Sequence, residues 1–309
     1  MRIYSFSAQP FENRQGLCFD PAKYSKFKYG SKSIAREFGY ELGRKFLHSL
    51  VYQELQMQFD LTQIPITVCS APYKFTPTAS FALKDYFGRE FNKYHALKFG
   101  KSIEDIKVFR KHSYHEDYSV MNRVERDKAI TADDFHIDEK FIQNKILCFI
   151  DDVKITGSHQ SRIETLLRSV GFRGAAVFLF YAELTGVENA HIESYLNRSA
   201  ITDLEDIARI IREDEFAFNT RVIKFILERE ENEFKTFIDF QTNEFNETLL
   251  QYALGNEYFK EPKYQENLLL LQLRLSNFGN PLFEARCNRQ AAIAYAPGFT
   301  PTFEKEKPA

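Results

Sequence analysis

The 309-residue chain has no tryptophan and only four cysteines, Cys18, Cys69, Cys148 and Cys287. They stand far apart, with no CxxC pair and no Cys/His cluster of metal-ligand spacing. Neither a disulfide framework nor a zinc site is signalled, and a reducing compartment is expected. No stretch reaches the roughly eighteen apolar residues that a membrane span requires, and the N-terminal MRIYSFSAQPFENRQG lacks the apolar core of a signal peptide. A cytoplasmic protein without a membrane partner is therefore expected. Neither sign of charge is in excess: 41 basic residues face 43 acidic ones, a formal net charge of -2. That balance provides no basic field for holding nucleic acid. The absence of GxxxxGK[ST] and GxGxxG argues against a P-loop kinase or a dinucleotide enzyme. No internal repeat points to a solenoid.

What the chain does have is aromatic mass, with 31 Phe and 16 Tyr, which scattered as here signals packing rather than base stacking. Its length allows one full core and a large appendage. Residues 1–30 show no clear period. Ile34, Phe38, Leu42, Phe46 and Leu47 then mark an amphipathic helix within residues 31–50. A β-branched run, Ile64 to Cys69, predicts a strand, followed by a Ser/Thr/Pro/Tyr-rich loop and a helix over residues 81–99. Ile106 to Phe109 predicts a further strand, and a long polar segment follows it. Lys145 to Ile150 reads as a buried strand, Gln160 to Val170 as a helix stopped by Gly171, and Ala175 to Tyr181 as a second buried strand.

A strand, loop, helix and strand of these lengths implies a parallel, right-handed crossover. The expected fold class is α/β, an open, mostly parallel sheet flanked by helices over residues 1–186. A mainly helical appendage, residues 187–309, is expected to pack on it. Within the appendage Thr202 and Glu205 suggest a capping box, and helices are expected over residues 222–237 and 268–275. The segment after Pro297 reads as a frayed end.

The most informative stretch is KILCFIDDVKITGSHQ, Lys145 to Gln160. It places two aspartates and a Thr-Gly-Ser turn between a buried strand and a helix, where ligands bind in open α/β sheets. A helix N-terminus offers backbone N–H groups and partial positive charge, so Ile155, Thr156, Gly157 and Ser158 can wrap a phosphate. Gly157 supplies the close approach or the positive φ that such a turn requires. Asp151 and Asp152 can accept hydrogen bonds from vicinal hydroxyls or help place Mg2+ among oxygen ligands. An isolated Asp-Asp would merely end a strand, and a lone Thr or Ser would merely cap a helix. The combination, with strands on either side, favours a sugar-phosphate site.

CFIDDVKITGSH resembles the phosphoribosyl-pyrophosphate signature of the type I phosphoribosyltransferases. The wider layout, HEDYSVMNRVERDKAI followed by an insert and then the signature strand, is similar to the competence-associated phosphoribosyltransferase-like proteins of bacteria. The resemblance covers roughly residues 30–185. It implies a Mg2+-dependent transfer of phosphoribose from 5-phosphoribosyl 1-pyrophosphate to a nitrogen nucleophile, or the reverse cleavage of a nucleotide. Asp151 and Asp152 would serve the ribose and the metal, and Lys154, Ile155, Thr156, Gly157, Ser158 and His159 the 5-phosphate. Candidate pyrophosphate contacts are Tyr73, Lys74 and Thr76 in the loop at residues 70–80, the Arg110-Lys111 pair, and Arg123 and Arg126 farther on. Arg126, together with Asp151 and Asp152, makes up the candidate catalytic set.

His112, His115 and His159 are candidate acid-base groups. Ile155 stands where purine-salvage members often carry an Asp, and His159 where a Thr often ends the motif. These departures speak against purine salvage and keep open a non-catalytic regulator that binds the same donor or a nucleotide. The expected partners are small molecules, with a homodimer favoured as the commonest oligomeric state.

Overall fold

A computed structural model of the protein describes residues 1–111, 135–187, 190–213 and 215–276. The chain opens with β1 (Arg2–Phe11), then α1 (Pro21–Lys28), α2 (Lys32–Leu47) and α3 (Leu50–Gln58). Next come β2 (Ile66–Ser70), α4 (Ala79–Phe99), the short strands β3 (Glu104–Asp105), β4 (Phe109–Arg110) and β5 (Phe135–His136), and a turn of helix, α5 (Glu139–Ile142). The crossover expected from sequence follows as β6 (Ile146–Lys154), α6 (Ser158–Ser169) and β7 (Ala175–Leu184).

Five strands form a parallel sheet in the order β1-β7-β6-β2-β3. β6 and β7 sit inside it and are buried along most of their length, which is why they read as unbroken apolar runs. Their period of two divides the core. Ile146, Cys148 and Ile150 join Val177, Leu179 and the aromatic faces of α2 and α4 on one side of the sheet. Leu147, Phe149, Ala176 and Phe178 join Ile163, Leu166 and Leu167 of α6 on the other.

α2 and α4 pack unusually closely. A Cβ on Gly39 would stand 2.6 Å from Tyr86 Cβ and 2.8 Å from the Leu83 carbonyl oxygen. Only a glycine lets the two helices meet at that point.

The remaining helices are α7 (Ala190–Arg198), α8 (Leu204–Glu213), α9 (Thr220–Leu227), α10 (Glu231–Asp239), α11 (Asn243–Gly255) and α12 (Pro262–Ser276). α7 packs against α1, where Ser25 Oγ donates to the Asn197 carbonyl at 2.7 Å, and its Ile192 and Leu196 belong to the sheet's core. α8 to α12 close around a core of their own, built from Ile207, Val222, Ile226, Phe234, Leu249 and Leu271, and Tyr29 reaches into it from the end of α1. Among the described residues no helix is long and apolar enough to cross a membrane.

Four local expectations need correction. The aperiodic residues 1–30 contain β1, whose Tyr4, Phe6 and Ala8 pack inward while polar Ser and Gln alternate with them; Pro10 is tolerated because β1 is an edge strand. Ile106 to Phe109 is not one strand: Ile106 N still donates to Val68 O, but the chain then leaves the sheet and Phe109 pairs with His136. The cap of α8 lies one residue later than expected, with Asp206 N donating to Asp203 Oδ1 and the Asp206 carboxylate accepting from Thr202. Residues 222–237 are two helices. Asn267 Nδ2 from α12 donates to the Leu227 and Arg229 carbonyls and ends α9 there.

Substituting Gly39→Ala should force α2 and α4 apart and lower stability by about 1–3 kcal/mol. The urea midpoint of the variant against wild type measures it.

Candidate functional site

From β2 the chain proceeds through α4 to β3 on one side, and later enters β6 on the other side of β2. The loops after β2 and β6 therefore diverge, leaving a crevice at the carboxyl ends of the strands. A cleft of about 230 Å³ lies there, lined by Ala71 to Lys74 from the first loop and Asp151 to Gln160 from the second. Its far wall is the helical appendage, which contributes Thr220, Arg221, Lys224, Phe225, Glu228, Asn256 and Tyr258.

Asp151 and Asp152 are adjacent on a strand, so their side chains leave on opposite faces of the sheet. Asp152 turns toward α1, where Tyr24 Oη donates to its Oδ2 at 2.5 Å and Lys28 Nζ donates to the same oxygen. Asp151 turns toward α6, where its Oδ2 meets His159 Nδ1 at 3.2 Å. The side chains diverge toward different helices, yet the two carboxyl groups stay close enough to share a hydrogen bond and to feel each other's charge. Burial alone would push the Asp152 carboxyl up, but the Lys28 charge and the hydrogen bonds to it win and hold it well below the usual carboxylate range. Asp151 is raised, because burial and the Asp152 charge outweigh the hydrogen bond to His159.

The turn after β6 has the form expected of an anion cradle. Gly157, with φ of 71°, occupies the N-cap position of α6 in the left-handed region. A Cβ there would meet only the Lys154 side chain, at 3.6 Å, so conformation rather than space demands glycine. Thr156 Oγ1 accepts from Ser158 N at 3.3 Å and bonds Ser158 Oγ at 3.0 Å. Ile155 is buried in the core, so what it offers the cleft is chiefly backbone. Lys154 also lines the cleft and pairs with Glu183 on β7 at 2.8 Å.

The candidate pyrophosphate contacts separate. Tyr73 and Lys74 line the cleft, with Lys74 ion-paired to Glu257 of the appendage. Lys107 fixes their loop by bonding the Lys74 carbonyl at 2.7 Å beneath the Tyr73 ring, and Arg110 N donates to the Tyr73 carbonyl. Arg110 lines the cleft, whereas Lys111 is exposed and does not. Thr76 is buried away from it, bonded to the Tyr252 carbonyl at 3.0 Å. His112, His115, Arg123 and Arg126 lie outside the described residues.

Sequence reasoning missed Tyr24 and Lys28, and also Arg162 and the appendage wall. The only local trace of the first two is their i, i+4 spacing behind Asp20-Pro21, which caps α1. Among the described residues the wall carries Lys28, Lys74, Arg110, Lys154, Arg162, Arg221 and Lys224 against the carboxylates Asp151, Asp152, Glu193 and Glu228. Lys74 and Lys154 are neutralised by Glu257 and Glu183 just outside the lining, so the positive charge left over at the cleft is slight.

Replacing Lys28 by Met should leave Asp152 buried without its counter-ion and cost about 3–5 kcal/mol. Introducing Asp152→Asn beside Lys28→Met should restore part of that loss. Denaturant unfolding of the two single variants and the double variant reads the coupling directly.

The family described as PRTase ComF-like matches residues 3–271 of the chain. A search of curated protein sequences found no match. Among solved structures, the chain is similar to the hypoxanthine-guanine phosphoribosyltransferase of L. donovani at 10% identity and a TM-score of 0.30, covering 48% of this chain and 69% of that one. It is similar to the adenine phosphoribosyltransferase of Saccharomyces cerevisiae at 15% identity and a TM-score of 0.28, covering 53% and 74%. With a family match spanning nearly the whole described chain, this protein belongs to the ComF-like phosphoribosyltransferases.

Proposed function

We propose that this chain binds 5-phosphoribosyl 1-pyrophosphate with Mg2+ and transfers the phosphoribosyl group to a nitrogen nucleophile in the same cleft, or runs the reverse cleavage of a nucleotide. One juxtaposition carries the reading. The Thr156–Ser158 turn on the α6 N-terminus stands beside an Asp151 carboxylate on the same face of β6, at the switch point of the sheet. Backbone N–H groups and the Thr156 and Ser158 hydroxyls would hold the 5-phosphate. Asp151 would accept from the ribose hydroxyls, with His159 orienting its carboxylate. Asp152, engaged by Lys28 and Tyr24, would act by positioning α1 and the end of β6 rather than by touching the sugar.

Among the described residues no three His, Cys, Asp or Glu gather as a metal cage. Mg2+ needs none, since it keeps several waters and takes one or two carboxylates together with the substrate's phosphate oxygens. Asp151 fits that role, and Asp152 fits it less well because its Oδ2 already accepts two donors. When bound, the ion would offset charge on the departing pyrophosphate. The cations of the cleft would add preorganised charge around the same group.

A regulator that binds the donor without turnover is the second reading. It is favoured by Asp152 and Lys74 each being ion-paired within the protein.

Calorimetric titration of phosphoribosyl pyrophosphate, with and without Mg2+, into wild type and Asp151→Asn tests the site. The expected result is Mg2+-dependent binding that the substitution weakens about tenfold or more, a change of about 1.4 kcal/mol. A folded wild type that does not bind would contradict the reading. Pyrophosphate release in the presence of a panel of nitrogen acceptors separates the transferase from the regulator.

A further inference from the structure

The loop after β2 is backed by the chain that leaves β3. Ile106 N donates to Val68 O at 3.0 Å, Tyr73 bridges Phe109 in parallel, and Arg110 N donates to the Tyr73 carbonyl at 3.1 Å. Residues 106–110 therefore run beside residues 68–73 as a strap behind the loop. Val108 anchors that strap, 1% exposed in the core that α6 covers. Side chains of an extended segment alternate, so Lys107 and Phe109 leave on the other side, where Tyr73 lies.

There the Lys107 ammonium is caged. It donates to the Lys74 carbonyl at 2.7 Å and stands 4.0 Å from the centroid of the Tyr73 ring and 4.5 Å from that of Phe109. Two aromatic faces and a carbonyl oxygen all attract a cation, and a neutral amine would keep only a weaker bond to the carbonyl. Tyr73 and Lys74 line the cleft, whereas Lys107 stands behind them, so any effect of Lys107 on a ligand passes through those two residues. The two lysines hold the loop at different points. Lys74 ties its side chain to Glu257 of the appendage, and Lys107 grips the backbone from the sheet side.

We propose that Lys107 is a positioning residue for the pyrophosphate of the donor: its positive charge, held behind the cleft, sets the Tyr73–Lys74 backbone that faces that group. This role rests on the phosphoribosyl reading and deepens it, because affinity for one part of the donor then depends on a charge that never touches it. Burial lowers the Lys107 ammonium from the ordinary lysine value, so its charge is lost, as pH rises, before that of an exposed lysine. The titratable groups around the cage are Tyr73, whose hydroxyl burial raises, Cys69, Asp105 and Tyr252, whose charges act on Tyr73, and Arg110 on the strap; Asp105 is paired with Lys84 of α4. Burial alone moves Lys107. Discharging it removes the attraction of both rings, and pyrophosphate affinity should fall in the same direction of pH.

The test is calorimetric titration of inorganic pyrophosphate and of ribose 5-phosphate, each with Mg2+, into wild type, Lys107→Met and Lys107→Arg, with thermal melting to establish folding. Ribose 5-phosphate addresses the Thr156–Ser158 turn, which Lys107 does not support. Lys107→Met should weaken pyrophosphate at least about fivefold while binding ribose 5-phosphate as wild type does. Lys107→Arg should recover most of that loss, and should lose less affinity than wild type as the pH is raised from neutral. If Lys107→Met does not fold, the comparison of wild type with Lys107→Arg over pH decides in its place, and parallel profiles overturn the proposal. It is also overturned if Lys107→Met binds pyrophosphate as wild type does, if both ligands weaken alike, or if arginine restores nothing. Wild type that binds ribose 5-phosphate but not pyrophosphate removes the role of Lys107 and leaves the phosphoribosyl reading standing; wild type that binds neither removes both.

Discussion

At the carboxyl end of β6 the side chain of Asp152 is buried, and a carboxylate is tolerable there only because Lys28 and Tyr24 reach it from α1. Much of the site's shape hangs on that contact. It fixes the last turn of α1, and the Lys28 carbonyl in turn accepts from Asn219 Nδ2 at the start of α9. Tyr29 then enters the appendage core and meets Phe225 edge-on, with ring centroids 4.9 Å apart. Gly30, with φ of 99°, turns the chain where a side chain would strike Phe216 and the Ala217 carbonyl. Lys28 thus ties Asp152 of the sheet to the helical wall across the cleft.

A second seam closes the other side. The loop after β2 is held to the appendage by Asn256, by the Lys74–Glu257 pair, and by Thr220 N donating to the Pro77 carbonyl at 2.9 Å. The cleft is therefore bounded by two kinds of wall. The sheet side offers a backbone cradle and a carboxylate, suited to phosphate and sugar hydroxyls. The appendage side presents guanidinium, ammonium and phenol groups to the cleft. This division follows from placing a phosphate turn on one structural unit and closing it with another, and it joins the family assignment to the chain's own chemistry.

The parts of this arrangement legible in the sequence are those whose cause is local. β6 and β7 are buried on both faces and so are apolar throughout, α6 shows its 3.6-residue period, and Gly157 and Gly171 mark backbone that favours glycine. The Asp-Asp and Thr-Gly-Ser residues were readable for the same reason, as a fixed order between strand and helix. β1 was not, because an edge strand alternates polar and apolar residues over too little buried surface to stand out. The break between α9 and α10 was not, because Asn267 makes it from some forty residues away. Lys28 and Tyr24 stand 124 and 128 residues from Asp152, and nothing in either segment announces the other. The different duties of Asp151 and Asp152 became visible only once the strand's alternation could be set against its two neighbouring helices.

The most direct test is a crystal structure of the protein with phosphoribosyl pyrophosphate and Mg2+. The account predicts the 5-phosphate on the Thr156–Ser158 turn, the ribose hydroxyls against Asp151, and Lys28 still bound to Asp152. A donor seated elsewhere, or one that displaces Lys28 to bind Asp152 while leaving Asp151 untouched, would contradict it.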